Sequence, residues 1–568
     1  MNLDYRRLSQ ISFSLIFSCV LLLACAKGIP LTQGSATQSS SPTNTSSVSQ
    51  SATLTPFLPL PPTSTINPSP TFVPALWVAP YLPSAVQGAL VLLDGFGRVD
   101  TPEQALLRLE PGDQHPLSKW VYALVTPFPT IPDGVSADEL RSSWQGKAAG
   151  PFAGKPILID ESTLGVFTTK WGAPPEQAVK VLPADELITY AWEHRPAWAL
   201  VPFEALQPRW KVLQVDGRSP LWKEFDPDDY ALTVTFSLQG DLSLVPGLDT
   251  ALQGVPATNR DPAKLTTVIL TGVTALVRAT AFTMHQKGIL YPGQDIREIT
   301  RDADLMHVSN EIPFFQDCPF PDPNQMGLKF CSDPQYIDLL KDIGTDIIEL
   351  TGDHFADYGA DPMRYTLDLY NKEGWIYYGG GYNLEDGRQA RLIERNGTKF
   401  AFIGCNSKKD NHFYATASVN NPGAVACDFA WMNPEITRLR DQGYQVIVTF
   451  QDDEYYTYLA QPDQITDSHG VADAGAVIVS GSQAHQPQAM ELYNNSFIHY
   501  GLGNLFFDQF FMGLPTSQGF LDRYVFYDGR FLSIEPIGIL FVDYARPRLM
   551  TPAEKQQLME TVFSASGW

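Results

Sequence analysis

The sequence predicts an α/β protein built as two folded blocks behind an N-terminal leader. Three observations carry that expectation. The chain has 568 residues, more than one hydrophobic core usually serves. Short apolar runs alternate with helix-like segments, the pattern of strands buried on both faces and covered by helices. The Asn-Gly and Asp-Gly pairs in "RNGTKF" and "YDGRFL" mark tight hairpins.

The leader comes first. Arg6 and Arg7 precede an apolar run, Ile11 to Ala24, too short to span a bilayer comfortably. It ends in Leu22-Leu23-Ala24-Cys25, which resembles the bacterial lipoprotein cleavage box. The resemblance implies a signal peptide at 1–24, a lipidated Cys25 and a membrane-anchored place at the bacterial cell surface or in the periplasm. An ordinary secretory signal is the alternative. Residues 25–74 are rich in Ser, Thr and Pro, with no charge from Leu31 to Pro74. Such a segment cannot bury a core and is expected to be a disordered stalk.

Composition narrows the partners. The formal net charge is −23, which repels nucleic acid and anionic membrane surfaces and counts against both. Cys19 and Cys25 lie in the leader, leaving Cys318, Cys331, Cys405 and Cys427. In an exported chain these predict disulfides, most simply Cys318–Cys331 and Cys405–Cys427. Zinc binding is the rival, weakened by the lack of C-x-x-C spacing.

The block 75–250 alternates strand-like and helix-like segments, among them "WVYALVTPF", "KPILID" and "YALTVTFSL". Ser136 and Glu139 form a capping box that starts one helix. "VYALVTPFPTIPDGVSADELRSSWQG" and the later "WALVPFEAL" resemble type 2 periplasmic solute-binding proteins. This implies a solute-binding-protein-like α/β domain, and with it the reading of an extracytoplasmic solute receptor. The ligand residues do not carry over. An α/β domain of no particular family is the alternative.

The block 251–568 repeats strand, loop and helix. "TTVILTGV", "LMHVSNE", "TDIIELTGDH", "KFAFIGCN", "YQVIVTFQD", "GAVIVSGSQAH" and "SFIHYGLGN" read as buried strands. Polar residues gather where they end: Asn310 and Glu311; Asp353, His354 and Asp357; Gln451 to Glu454; Gln483 and His485; Asn504. C-terminal strand ends of an α/β sheet share one rim, where ligands bind. Clustered carboxylates and imidazoles suit a divalent metal and hydrolytic chemistry. Each residue alone would serve as a cap or turn.

"GVTALVR", "SNE", "TGDHFADYG", "YYGGGYN", "SGSQAH" and "YGLGNLFFDQ", in order and spacing, resemble the CapA-type poly-γ-glutamate capsule-synthesis proteins. The resemblance implies a four-layer αββα sandwich of the calcineurin-like metallophosphatase superfamily. It also implies a role in making, anchoring or exporting poly-γ-glutamate or another capsule polymer, with that polymer and the export machinery as partners. Carried over by motif, His354 is the general acid, Asp357 and Glu454 are retained catalytic candidates, and Glu311, Asp353 and His485 are retained metal ligands. Three family ligands are replaced, by Val273, Phe450 and Gln483. Loss of a bridging carboxylate and two imidazoles should abolish a tight binuclear site. The remaining groups suffice for one weakly held Mn, Fe or Zn ion, or for none, so no tightly bound cofactor is expected. A binding module without chemistry and an active hydrolase are both open at this point.

Overall fold

The computed structural model describes residues 75–90, 97–244, 252–408, 415–510 and 513–568. The expected signal peptide, Cys25 and the expected stalk lie outside the described residues.

The first block is built on a mixed nine-stranded sheet. Its long strand, Pro116–Pro127, is buried from Trp120 onward because sheet neighbours and helices cover both faces. Ser136 caps the helix Ala137–Trp144 reciprocally with Glu139, as the capping box requires.

The second block has two large sheets face to face. The first runs in the order Ile376–Tyr378, Ile347–Glu349, Leu305–Asn310, Leu265–Thr271, Gln518–Tyr527, Arg530–Val542, Arg546–Leu549. The second runs Arg391–Arg395, Thr398–Asn406, Gln445–Gln451, Ala476–Ser482, Ser496–His499, Met490–Tyr493. Val268, Leu270 and Phe520 of one meet Phe402, Ile447 and Phe497 of the other in the central core. Leu339, Leu367 and Tyr370 cover the outer face of the first sheet. Met432, Ile436 and Val471 cover that of the second. The layering is helix, sheet, sheet, helix, the expected αββα sandwich. Both hairpin turns use left-handed pairs, Asn396–Gly397 and Asp528–Gly529, the geometry that matches strand twist.

The blocks share packing. The Phe128 ring lies 5.4 Å from Phe497 and 5.6 Å from Trp568, and Phe203 lies 5.0 Å from Tyr527. The disulfides Cys318–Cys331 and Cys405–Cys427 are formed. No helix among the described residues is long and apolar enough to cross a membrane.

Candidate functional site

Parallel strands of both inner sheets deliver their C-terminal ends to one edge. Glu311 directly follows the Leu305–Asn310 strand, pinned by its N–H donating to Thr274 O at 3.0 Å. Asp353 and His354 follow the Ile347–Glu349 strand. Gly352 makes their approach possible, because a Cβ there would lie 2.3 Å from Glu311 O and 2.7 Å from Glu311 Cα. Candidate ligand atoms of Glu311, Asp353 and His354 consequently lie within 4.8 Å of one another.

Each has a distinct environment. Glu311 is buried, and its Oε2 has no hydrogen-bond partner. Burial raises its pKa to about 8, with the Asp353 charge adding and the His354 charge opposing. Burial alone would lower the His354 pKa. The bond from Nδ1 to Asp357 Oδ2, 2.8 Å, and the Glu311 and Asp353 charges outweigh it and raise the value to about 9. Asp357 Oδ2 also accepts from Phe330 N at 2.7 Å, and the Phe330 ring lies 4.7 Å from the His354 ring. Asp357 thus orients His354 rather than facing the cluster directly.

Asp353 is held by a lysine that the strand-end pattern did not single out. Lys408 Nζ donates to Asp353 Oδ2 at 2.6 Å, with side-chain exposures of 8% and 2%. Burial pushes the Lys408 pKa down, but the Asp353 and Glu454 carboxylates more than reverse this and raise it. Glu454 Oε1 is 3.7 Å from Nζ, and its side chain is 41% exposed at the outer rim. Tyr456 OH donates to the other Glu454 oxygen at 3.2 Å.

Two amides face the carboxylates from the second sheet. Gln451 Nε2 donates to Gln483 Oε1 at 2.7 Å and to Asp353 Oδ1 at 3.1 Å. Asn406 Nδ2 donates to Gln451 Oε1 at 2.8 Å and so fixes which end of that amide points inward. This corrects the expectation for Phe450. Successive strand residues point to opposite faces, and Phe450 faces away into the outer core with Met432 and Ile436. Gln451 is the side chain that looks into the site, one residue later than the motif alignment placed it.

Gln483 and His485 both have positive φ, 81° and 53°, an uncommon backbone state for such residues. The loop turns both side chains inward. His485 is buried, and its Nδ1 bonds Asn504 Oδ1 at 2.9 Å. Burial lowers its pKa against that hydrogen bond. Its ring lies 5.1 Å from Phe507. His485 therefore stands beside the cluster, in electrostatic contact with Asp353 and Lys408, while His354 joins Glu311 and Asp353 in the tight group. Val273 packs with Phe330 and Phe507, the rings that back His354 and His485.

The donor set bears on metal binding. Glu311, Asp353 and His354, with Glu311 Oε2 open, fit one small divalent ion, which would have to compete with Lys408 for Asp353. Among the described residues, the places facing it offer two amides and a valine, a poor set for a second ion. The Lys408 signal was available in sequence. The strand "KFAFIGCN" ends at Asn406, and Lys408 stands two residues further on, close enough to the strand end to reach the rim.

This is an αββα sandwich carrying a polar cluster at the strand ends. Residues 235–509 match the family model described as bacterial capsule synthesis protein PGA_cap, and that part of the chain is similar to the CapA-type proteins. The PGA biosynthesis protein CapA of Bacillus subtilis is 28% identical over 226 residues, which is 40% of this chain and 59% of that protein. The capsule biosynthesis protein CapA of Bacillus anthracis is 23% identical over 261 residues, 45% of this chain and 62% of that protein. The chain thus spans about three fifths of the length of these curated relatives. Among solved structures, Haemophilus influenzae NAD nucleotidase is 10% identical, with a TM-score of 0.32 covering 53% of this chain and 56% of that one.

Proposed function

We propose that this is an exported, lipid-anchored protein of poly-γ-glutamate or capsule assembly, whose rim site binds ligand with an internal ammonium where relatives would hold metal. One observation carries the reading: Lys408 Nζ sits 2.6 Å from Asp353, inside a wall of Gln451 and Gln483 amides. A lysine so placed supplies one positive charge without a bound ion. It also leaves the Asp353 carboxylate compensated, as a buried carboxylate must be. His354, charged at neutral pH, gives the site a second cation. Lys408 and His354 are offset by Asp353 and Asp357, so the rim offers its amides, with Glu454 and Tyr456 at the entrance, to the amide backbone of an amino-acid polymer. On this reading the protein is a binding and anchoring component that works with the export machinery at the cell surface. Residues 75–250 form its solute-binding-like part, and 251–568 form its capsule-synthesis part.

A second reading is a metal-dependent hydrolase of a surface polymer. The unpartnered Glu311 Oε2 and the Asp357–His354 pair favour it. In that case the ion would polarise the scissile group, and His354 would donate the proton. Elemental analysis of the exported chain separates the two. Near-stoichiometric Mn, Fe or Zn would overturn the internal-ammonium reading. Metal-free protein that binds poly-γ-glutamate, and loses that binding in His354→Ala, would support it. A third reading, a solute receptor, rests on the first block and is tested by thermal-shift screening of small ligands.

A further inference from the structure

A cavity of about 240 Å³ lies where the two blocks meet, space for about eight waters at ~30 Å³ each. None of its lining residues belongs to the rim site. Its polar wall gathers Asp133, Lys211, Arg523, Glu535 and Lys555. Phe128, Met559 and Phe563 supply apolar wall. The charges do not cancel: three cations face two carboxylates, a local excess of one positive charge in a chain of net −23.

The cations differ in how far they are satisfied. Lys211 Nζ lies 2.9 Å from Asp133 Oδ1 and donates to Thr130 O at 2.6 Å and Ile131 O at 2.9 Å, so its three donors are used. Lys555 Nζ donates to Asp133 Oδ2 at 2.6 Å. Arg523 Nη1 donates to Glu535 Oε2 at 3.3 Å. Both keep donors in reserve among the described residues. Ser533, also in the wall, is fully buried, and its hydroxyl has no hydrogen-bond partner. That oxygen is sealed from the cavity, so the donors that line open space are those of Lys555 and Arg523.

We propose that this cavity is a binding site for a small organic carboxylate with an apolar body. The carboxylate accepts from Lys555 and Arg523, and the body lies against Phe128, Met559 and Phe563. Such a site has the usual form of a small-ligand pocket, mostly apolar with a few convergent polar groups. It rests on neither reading of the rim. Burial holds Lys211 down to about 8 and pushes Glu535 up, while Asp133 and Lys555 stay partly exposed at the mouth.

The test is calorimetric titration of the full chain with phenylacetate and hexanoate, using benzylamine and 2-phenylethanol as controls. Both carboxylates should bind, and the amine and alcohol should not. Lys555→Met and Arg523→Met should each weaken phenylacetate about tenfold, as expected for a lost charged hydrogen bond. Met559→Trp should fill the cavity and abolish binding while the thermal midpoint holds. Absence of carboxylate binding, equal binding of benzylamine, or full binding in Met559→Trp would each overturn the proposal.

Discussion

Replacing Lys408 by alanine removes the ammonium that sits 2.6 Å from Asp353 Oδ2, with both side chains almost fully buried. At that distance the pair's Coulomb attraction is about 6 kcal/mol at an effective dielectric near 20. Much of this offsets the cost of burying the lysine, so the net value of the pair is smaller. The truncation is nonetheless severe, because it leaves Asp353 buried beside Glu311 with one cation fewer. Breaking such a pair costs about 3–5 kcal/mol. The Gln451 amide at 3.1 Å stays behind as partial compensation, which favours the lower end. Urea unfolding of the natural protein, Lys408→Ala, Asp353→Asn and the double variant measures the coupling directly. The double variant should be clearly more stable than the sum of the single losses implies. If Lys408 occupies the place of an ion, Mn should restore Lys408→Ala selectively. At a hundred times its Kd an ion returns about 2.7 kcal/mol. A loss below about 1 kcal/mol, strict additivity, or equal Mn stabilisation of both proteins would refute the reasoning.

Four further outcomes are expected. Adding Val273→Asp, Gln451→His and Gln483→His to Lys408→Ala should raise Mn or Zn affinity by orders of magnitude in calorimetry, whereas Phe450→His should add nothing, because that side chain faces the outer core. His354, raised from 6.5 to about 9, favours the folded state in its protonated form. Its contribution is complete below about pH 6.5 and disappears as pH rises through 9. An NMR titration should show Asp357→Asn bringing that pKa down, and an unchanged value would break the link. Cys25→Ser should release the protein from membranes into the soluble fraction, and continued membrane association would exclude the lipid anchor. The disulfides close sequence separations of 13 and 22 residues, each worth roughly 3 kcal/mol in the chain-entropy model. Cys405→Ser with Cys427→Ser should therefore lower the thermal midpoint by several degrees, and an unchanged midpoint would show that the closure contributes little.

What could be read from sequence, and what could not, follows from which signals are periodic. Buried strands such as Leu265–Thr271 are apolar on both faces and announce themselves. Asn396–Gly397 and Asp528–Gly529 announce their turns because few other residue pairs accept two left-handed positions. The αββα layering was implied by the motif resemblance, and the cysteine pairings by an even count in two sequence-local pairs. The side-chain identities at the rim were not legible in this way, since a strand end has no period to fix its register. A shift of one residue exchanged Phe450 for Gln451, an outward side chain for an inward one. Lys408 was hidden differently. It lies two residues past its strand, and its meaning appears only when Asp353, 55 positions away, folds against it. Sequence could show that imidazole and carboxylate ligands were absent from expected places. It could not show that a cation had been supplied from elsewhere in the chain. That distinction changes the inference about the site. A cluster that has merely lost ligands should be electrostatically strained and prone to recruit ions. One that has gained Lys408 is already compensated at Asp353, leaving Glu311 to be accommodated by protonation and His354 by Asp357. Three adjustments on three strand-end segments describe a site with its own internal charge balance, and its function should be sought in what that balance recognises.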